Sequence, residues 1–475
     1  MLDSLLRYGL IAVVALAALA WAFIAGRAWQ PKARARGGFW YLEAILLLSG
    51  PVLECLVFLY PADLSGPIPA IARAVSLVCV GLAAWAVLQS ATNARRGVGA
   101  VIAAMLFFYM AMIMSGLVGA TPGIPEQYVT TPVLVLAFLV HGGYSAEWLL
   151  RAARFNLRLV VVLSLIAAIV LPLLAFNSDD SRSLFGIGRL EGITAHPNTL
   201  GAVAVVAVVI ELKLSSSRVW VLIPFLALTF AQSNTSWIAL ILALAVRRDL
   251  LAKTLRFLAV AGVLLASSIV VIWPDKANAL VGAVLGDNFT FNGRTKIWDA
   301  AMIGFNEYPI FGYGPTLLDQ SYRDRYLPNF DAAAQAHNQL VQSLASAGII
   351  GLLSLLVLAV VLYKRAGDLR RLGDATGLAL LVLLTMRAAT ETPLRPGGAG
   401  LPTFILIVVI CYIATSWEEQ SALRATEGTS NAVIREDELP SHVRPEPIPL
   451  RSSASIAGDA RANRPRGRES RARPA

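Results

Sequence analysis

The sequence predicts an all-α polytopic membrane protein of about 12–13 transmembrane helices with one long extracytoplasmic loop, a reading that rests on three observations. Hydrophobic residues make up 57% of the 475 residues, charged residues only 15%, and mean hydropathy is +0.65. A soluble domain carries roughly 25% charged residues, so this inventory cannot build a water-facing surface. Apolar runs near the roughly 20 residues a spanning helix needs recur along the chain. Basic residues gather in every second connection between those runs, as the positive-inside rule requires.

The runs fall, in order, near 8–26, 39–60, 68–90, 97–119, 129–149, 159–176, 197–212, 218–232, 236–247, 256–273, 339–363, 374–389 and 400–416. The first lacks a small-x-small cleavage site, and Asp3 and Arg7 leave its amino-terminal side without a net basic charge. It therefore reads as a retained span and not a signal peptide. QSNTS (232–236) interrupts the eighth and ninth, leaving one bent span or a re-entrant pair open.

Arg27, Lys32, Arg34 and Arg36 follow the first run, Arg95 and Arg96 the third, and Arg151, Arg154 and Arg158 the fifth. Lys213 and Arg218 follow the seventh, Arg247, Arg248, Lys253 and Arg256 the ninth, and Lys364, Arg365, Arg370 and Arg371 the eleventh. These connections are expected in the cytoplasm, with the amino terminus outside and the carboxyl tail inside. The formal charge of +10 is thereby explained by membrane orientation, and nucleic acid is not an expected partner. The three cysteines (Cys55, Cys79, Cys411) lie in apolar runs without CxxC spacing, so neither a disulfide framework nor a zinc site is expected. The chain divides into amino-terminal helices (1–176), a second helical region (177–416) containing the loop 274–336, and a tail (417–475). The tail is rich in Arg, Pro, Ser, Glu and Gly and is expected to be disordered in the cytoplasm.

Three motifs carry chemistry, all on the face opposite the basic connections. GIGRLEGITAHPNTLG (186–201) packs Arg189, Glu191, His196 and Asn198 at the mouth of the seventh run. Pro197 suits a first helical position, and a helix start beside an arginine favours anions. The spacing equally allows Arg189 to pair with Glu191 and His196 to cap or pack. FNGRTKIWDAAMIGFNEYPIFGYGP (291–315) places Arg294 at the start of a helical pattern. Its apolar stripe, Ile297, Trp298, Ala301, Met302 and Phe305, suits a helix lying on the membrane surface. AHNQLVQSLASAGIIG (336–351) puts His337 on one face with Leu340, Val341 and Leu344, in the first turn of the eleventh run. A neutral ring there could accept a proton, and an interfacial histidine bonded to a carbonyl is the alternative.

Two arginine forks at a membrane surface suit a phosphate or diphosphate, and a histidine nearby could activate a hydroxyl. These loops hold no DxD-like pair, so no metal is expected. Glu54, Arg73, Glu211, Arg387 and Glu391 lie within or at the ends of runs, where charge is costly. Arg73 and Glu211 can snorkel, whereas Arg387 and Glu391, one helical turn apart, suit a structural pair. His141, inside the fifth run, and His442, in the tail, are expected to be bystanders.

RLEGITAHPNTLG (189–201), GRTKIW (293–298), PIFGYGP (309–315) and AHNQLVQSLASAGIIGL (336–352) resemble, in order, the motifs of the O-antigen ligase and O-antigen polymerase superfamily. The resemblance covers about residues 186–352, within the region 177–416. It implies a GT-C-like fold and a metal-independent, inverting glycosyltransferase in the bacterial inner membrane, acting at its outer face without a cofactor. The implied donor is an undecaprenyl-diphosphate-linked glycan. The implied acceptor is another glycan or a lipid A core. Membrane lipids, and polysaccharide export or chain-length proteins, would be the further partners. By position, Arg189 and Arg294 resemble the diphosphate-binding arginines and His337 the catalytic residue that orients or deprotonates the acceptor. His196 and Asn198 match the family's HPN signature. His196, Asn198, Asn234 and Glu191 remain candidates for the donor or acceptor site, Asn234 as a neutral hydrogen-bonding group for a sugar or phosphate oxygen. QSNTSW (232–237) carries Asn234 where many members carry arginine, so a third cation is not expected from that segment. A transporter or a flippase for lipid-linked glycans is the alternative class, and its mark would be substrate movement without a new glycosidic bond.

Overall fold

The computed structural model describes residues 39–58, 68–90, 97–177, 188–194, 196–214, 217–247, 294–328 and 334–437. The expected spans 8–26 and 256–273 lie outside these residues. Each of the others overlaps a helix: α1 (Trp40–Phe58), α2 (Ile68–Gln89), α3 (Gly99–Val118), α4 (Gln127–Val140), α5 (Ala146–Val170) and α6 (Pro197–Lys213). They continue with α7 (Arg218–Ala231) and α8 (Asn234–Arg247), then α11 (Gln339–Arg371) and α12 (Thr376–Thr390). The last begins as α13 (Leu401–Leu406) and passes through a π-turn (Ile407–Cys411) into α14 (Tyr412–Asp437). Two loop helices, α9 (Arg294–Glu307) and α10 (Gln320–Tyr326), precede α11. The protein is all-α and polytopic: six of the described helices are long and apolar enough to cross a membrane. Described strand is confined to a two-residue ribbon, β1 (Phe176–Asn177) against β2 (Arg189–Leu190). The chain divides at Ala422 into two units. In the second, 423–437 is helical, so helix extends past the expected start of the tail at 417, and 438–475 lies outside the described residues.

The fifth and sixth runs are apportioned differently from expectation. Helix α4 stops at Val140, and α5 starts at Ala146, where the Ser145 hydroxyl caps the Trp148 N–H at 3.1 Å. Arg151, Arg154 and Arg158 therefore lie on the first turns of α5 instead of in a loop. Arg158 grips the buried Glu211 of α6 through two hydrogen bonds of 2.5 and 2.8 Å and lies 4.0 Å over the Trp220 ring, so Glu211 does not snorkel. His141, expected inside a span, ends α4 and bonds Tyr41 Oη and Ser90 Oγ at 3.1 Å each. It joins three helices structurally.

The QSNTS interruption is a reversal. Helices α7 and α8, 14 residues each, both pack on α6 and meet at Gln232, whose φ is 50°. The far end of α8 returns to the far end of α6, where Arg247 Nη2 donates to Leu212 O at 2.7 Å. This geometry puts Ala231–Ser233 level with the start of α6.

The loop that precedes α11 has its own apolar cluster, in which Ile297, Trp298 and Ala301 pack with Tyr313, Leu317, Tyr322 and Val341. Most of the α9 stripe is thus spent on its own loop, and it does not lie exposed on a membrane surface. The loop docks into a break in α11. At Gly348 (φ 66°, ψ −162°) the helix is interrupted, and turn 309–314 supplies the missing partners. Tyr313 N donates to Ala345 O (2.9 Å) and Gly314 N to Ser346 O (3.0 Å), while Ile349 N reaches Pro309 O (2.9 Å). A Cβ on Gly312 would lie 2.4 Å from Ala347 N, so the GYG sequence meets a need for close backbone approach.

Candidate active site

Four segments remote in sequence meet at one carboxylate, Glu391. It is the residue after α12, with extended backbone, and is 8% exposed. Asn198 Nδ2 donates to its Oε1 at 3.0 Å. Gln335 Nε2 donates to Oε2 at 3.1 Å, and His337 Nδ1 lies 2.8 Å from the same oxygen. Arg294 Nη2 stands 4.0 Å from Oε1, an ion pair without a hydrogen bond.

Local sequence explains each placement. In HPN, Pro197 is the first residue of α6 and the His196 ring caps it, Nδ1 accepting from Asn198 N at 3.1 Å. His196 is therefore a helix cap and stands outside the carboxylate cluster. Asn198 is left to bridge: it donates to Glu391 and accepts from Arg189 Nη2 at 3.0 Å and Ser233 Oγ at 3.2 Å. Arg189 is held by β2 and buried to 2%, and its Nε donates to Ala231 O at 3.2 Å. Glu191 does not share this cluster, since its Oε1 accepts from Asn177 at 2.7 Å. Asn234 is exposed at the start of α8, and its neighbour Ser233 takes the place in the network.

Arg294 is the first described residue of α9, and Trp298, one turn on, donates its indole N–H to Ala336 O at 2.7 Å. That bond ties the helix carrying Arg294 to the residue before His337. His337 was expected on the first turn of its helix, but Asn338 is the cap, accepting from Leu340 N and Val341 N. His337 lies just before it in the left-handed region, φ 49°. A non-glycine residue there costs about 1–2 kcal/mol, a strain the bond to Glu391 can hold. Arg387 was expected to pair with Glu391 along one helix face. Helix α12 ends between them, and Arg387 Nη1 reaches Asn198 O at 3.4 Å while its charge still acts on Glu391.

Burial raises the pKa of Glu391, but the hydrogen bond from His337 and the charges of His337, Arg387 and Arg294 outweigh it, holding the carboxyl at about 2. The site is thus an anion fixed among cations and helix starts, a setting that also attracts a second anion to the arginines. Among the described residues no three His, Cys, Asp or Glu side chains are grouped as metal ligands.

Residues 219–356 match the family described as O-antigen ligase. Over that stretch the chain is similar to O-antigen ligases. The segment runs from α7 through α8 and the loop helices into α11, so it contains Arg294, Gln335 and His337, whereas Arg189, Asn198, Arg387 and Glu391 lie outside it. The match supports a relation to the O-antigen ligase and polymerase superfamily and, with the apolar helices, a membrane protein that handles glycans. No curated protein matches the chain.

Gln335, Ser233 and Glu391 were not marked as site residues from sequence. A glutamine two residues before a histidine and a serine in a polar interruption carry no signal alone. For Glu391 there was one, since a carboxylate at a span end is costly. If the Trp298–Ala336 bond sets the spacing of Arg294 and His337, Trp298→Phe should lower transfer about tenfold while costing roughly 1–3 kcal/mol of stability, the penalty of an unpaired buried carbonyl. Side-by-side assay and thermal unfolding in detergent check this. Unchanged transfer would show that the bond merely fastens the loop.

Proposed function

We propose that the protein transfers a glycan from an undecaprenyl-diphosphate-linked donor to a hydroxyl of an acceptor glycan or lipid A core, at the outer face of the inner membrane. The convergence of Asn198, Arg294, Gln335 and His337 on Glu391, with Arg189 joined through Asn198, is the observation that carries the reading. Glu391 fixes the imidazole through Nδ1 and leaves Nε2 to take the proton of the acceptor hydroxyl. That oxygen attacks the anomeric carbon of the donor's first sugar, forming the new glycosidic bond as the bond to the diphosphate oxygen breaks. One displacement inverts the anomeric centre. Arg189 and Arg294 take up the charge of the departing diphosphate. The proton remains on His337, where Glu391 stabilises the imidazolium until it passes to solvent. No step requires a metal. The face is supported by the positions of the site segments, all at helix ends away from the basic connections.

Arg294→Ala tests the reading in purified protein given native lipid-linked donor. Transfer should fall at least a hundredfold, the scale for losing one charge-stabilising donor, with the protein still folded in the membrane. Normal transfer by this variant would remove the donor assignment. Movement of donor across vesicles without a new glycosidic bond would favour a flippase.

A further inference from the structure

A cavity stands beside this site, and the proposed reaction does not use it. It measures about 490 Å³ and lies among the end of α1, the first turns of α2 and α4, Thr199 of α6 and the segment Gly397–Gly400. We propose that it binds a sugar residue of a glycan substrate, an inference that rests on the transfer reading above.

The charge of its walls selects the class of ligand. Glu54 and Glu126 disfavour an anion, and because Arg73 balances Glu126 at 3.5 Å, Glu54 is left as the one unbalanced charge among the described residues of the wall, suited to accept from hydroxyl donors. What suits the cavity is a neutral ligand rich in hydroxyl groups, each both donor and acceptor. Glu54 is the central observation. It is only 9% exposed, and Leu401 N donates to its Oε1 at 3.3 Å, while Oε2 has no partner among the described residues. Glu54 lines the cavity, where a sugar hydroxyl can donate to that oxygen without adding charge. A π-turn (Leu48–Val52) ends just before Glu54 and sets the face on which it emerges. The remaining lining is suited to the same ligand: the hydroxyls of Ser76, Thr130 and Thr199, the amide of Gln127, and glycine backbone that leaves room for a ring. The volume falls in the roughly 300–1,000 Å³ range of small-ligand pockets.

Position links the cavity to the reaction. Thr199 lines it while Asn198, its neighbour, donates to Glu391. The segment that begins at Glu391 ends in the glycines forming the cavity wall, which are fastened to α4 where Thr131 Oγ1 accepts from Gly398 N at 3.2 Å. A sugar bound here would flank the same helix start as the carboxylate.

The test measures binding of two probes to the purified full-length protein: undecaprenyl diphosphate without sugar, and the lipid-free repeat-unit oligosaccharide released from the cell's own polysaccharide. Glu54→Ala should weaken the oligosaccharide at least tenfold and leave undecaprenyl diphosphate within twofold. Gln127→Ala, a change at a half-buried side chain on the first turn of α4, should weaken the oligosaccharide about threefold with the unfolding temperature unchanged. Arg294→Ala should do the reverse, losing the diphosphate and keeping the oligosaccharide. Oligosaccharide binding unchanged in both cavity variants, or absent from the wild type, would overturn the cavity proposal. Diphosphate binding unchanged in Arg294→Ala would overturn the transfer reading and leave the cavity standing. In steady-state transfer, the substrate whose KM rises in Glu54→Ala shows whether the bound sugar belongs to donor or acceptor.

Discussion

Replacing Glu391 with alanine should reduce transfer by at least a thousandfold and lower the unfolding temperature as well. The carboxylate holds the imidazole of His337, accepts from Asn198 and Gln335 and balances Arg294, so its removal leaves these groups facing one another in a buried space. Breaking a buried charge network from one side costs about 3–5 kcal/mol. Loss of a correctly held general base accounts for about 10²–10⁴ in rate. Glu391→Gln keeps the size and one acceptor but cannot stabilise an imidazolium, so it should recover stability more than activity.

Acid makes the same point in the unmodified protein. The pKa of Glu391 lies at about 2 in the fold, below its ordinary value. A carboxyl depressed by folding contributes its full stability above its unfolded pKa, near 4.5, and loses it as pH falls towards 2. The contribution is on the order of 3 kcal/mol at neutral pH. Unfolding temperatures in detergent should therefore fall between pH 5 and pH 2, more steeply for the wild type than for Glu391→Gln. Parallel curves would mean that the carboxylate is not paired as described.

Gly348→Val is the second large effect. Its backbone sits at φ 66°, and a Cβ would lie 2.2 Å from Ile310 O and 2.7 Å from Gly312 N. A β-branched residue is disfavoured in the left-handed region, and here the obstacle is main chain that cannot rotate away. Turn 309–314 should be driven off the break in α11, stranding the Ala345 carbonyl and the Ile349 N–H that it satisfies. The expected outcome is a loss of several kcal/mol and of transfer together, seen as faster proteolysis of the loop and a lower unfolding temperature. Gly348→Ala should be milder yet still impaired. A variant with valine that unfolds like the wild type would show that the loop does not depend on this break.

Some of this was legible before any coordinates. The helical membrane class follows from composition, because 15% charged residues cannot cover a soluble surface of this size. Arg189, Arg294 and His337 were visible because each sits in a motif that resembles the superfamily's, and the fold brings all three to one carboxylate directly or through Asn198. Hydropathy misjudged the boundary between α4 and α5, since arginines are good helix formers and Arg158 is held by Glu211 and Trp220.

What the chain determined alone, then, is its solvent, its helical class and the residue types available at the outer helix ends, all set by local composition and period. The tertiary structure decided which of those residues meet. Asn198 rather than Glu191 joins Arg189, Ser233 rather than Asn234 joins Asn198, and Glu391 turns from its own helix to hold His337. Partners from 9 to 193 residues apart are chosen by helix packing and by where each helix stops, and no local pattern encodes that choice.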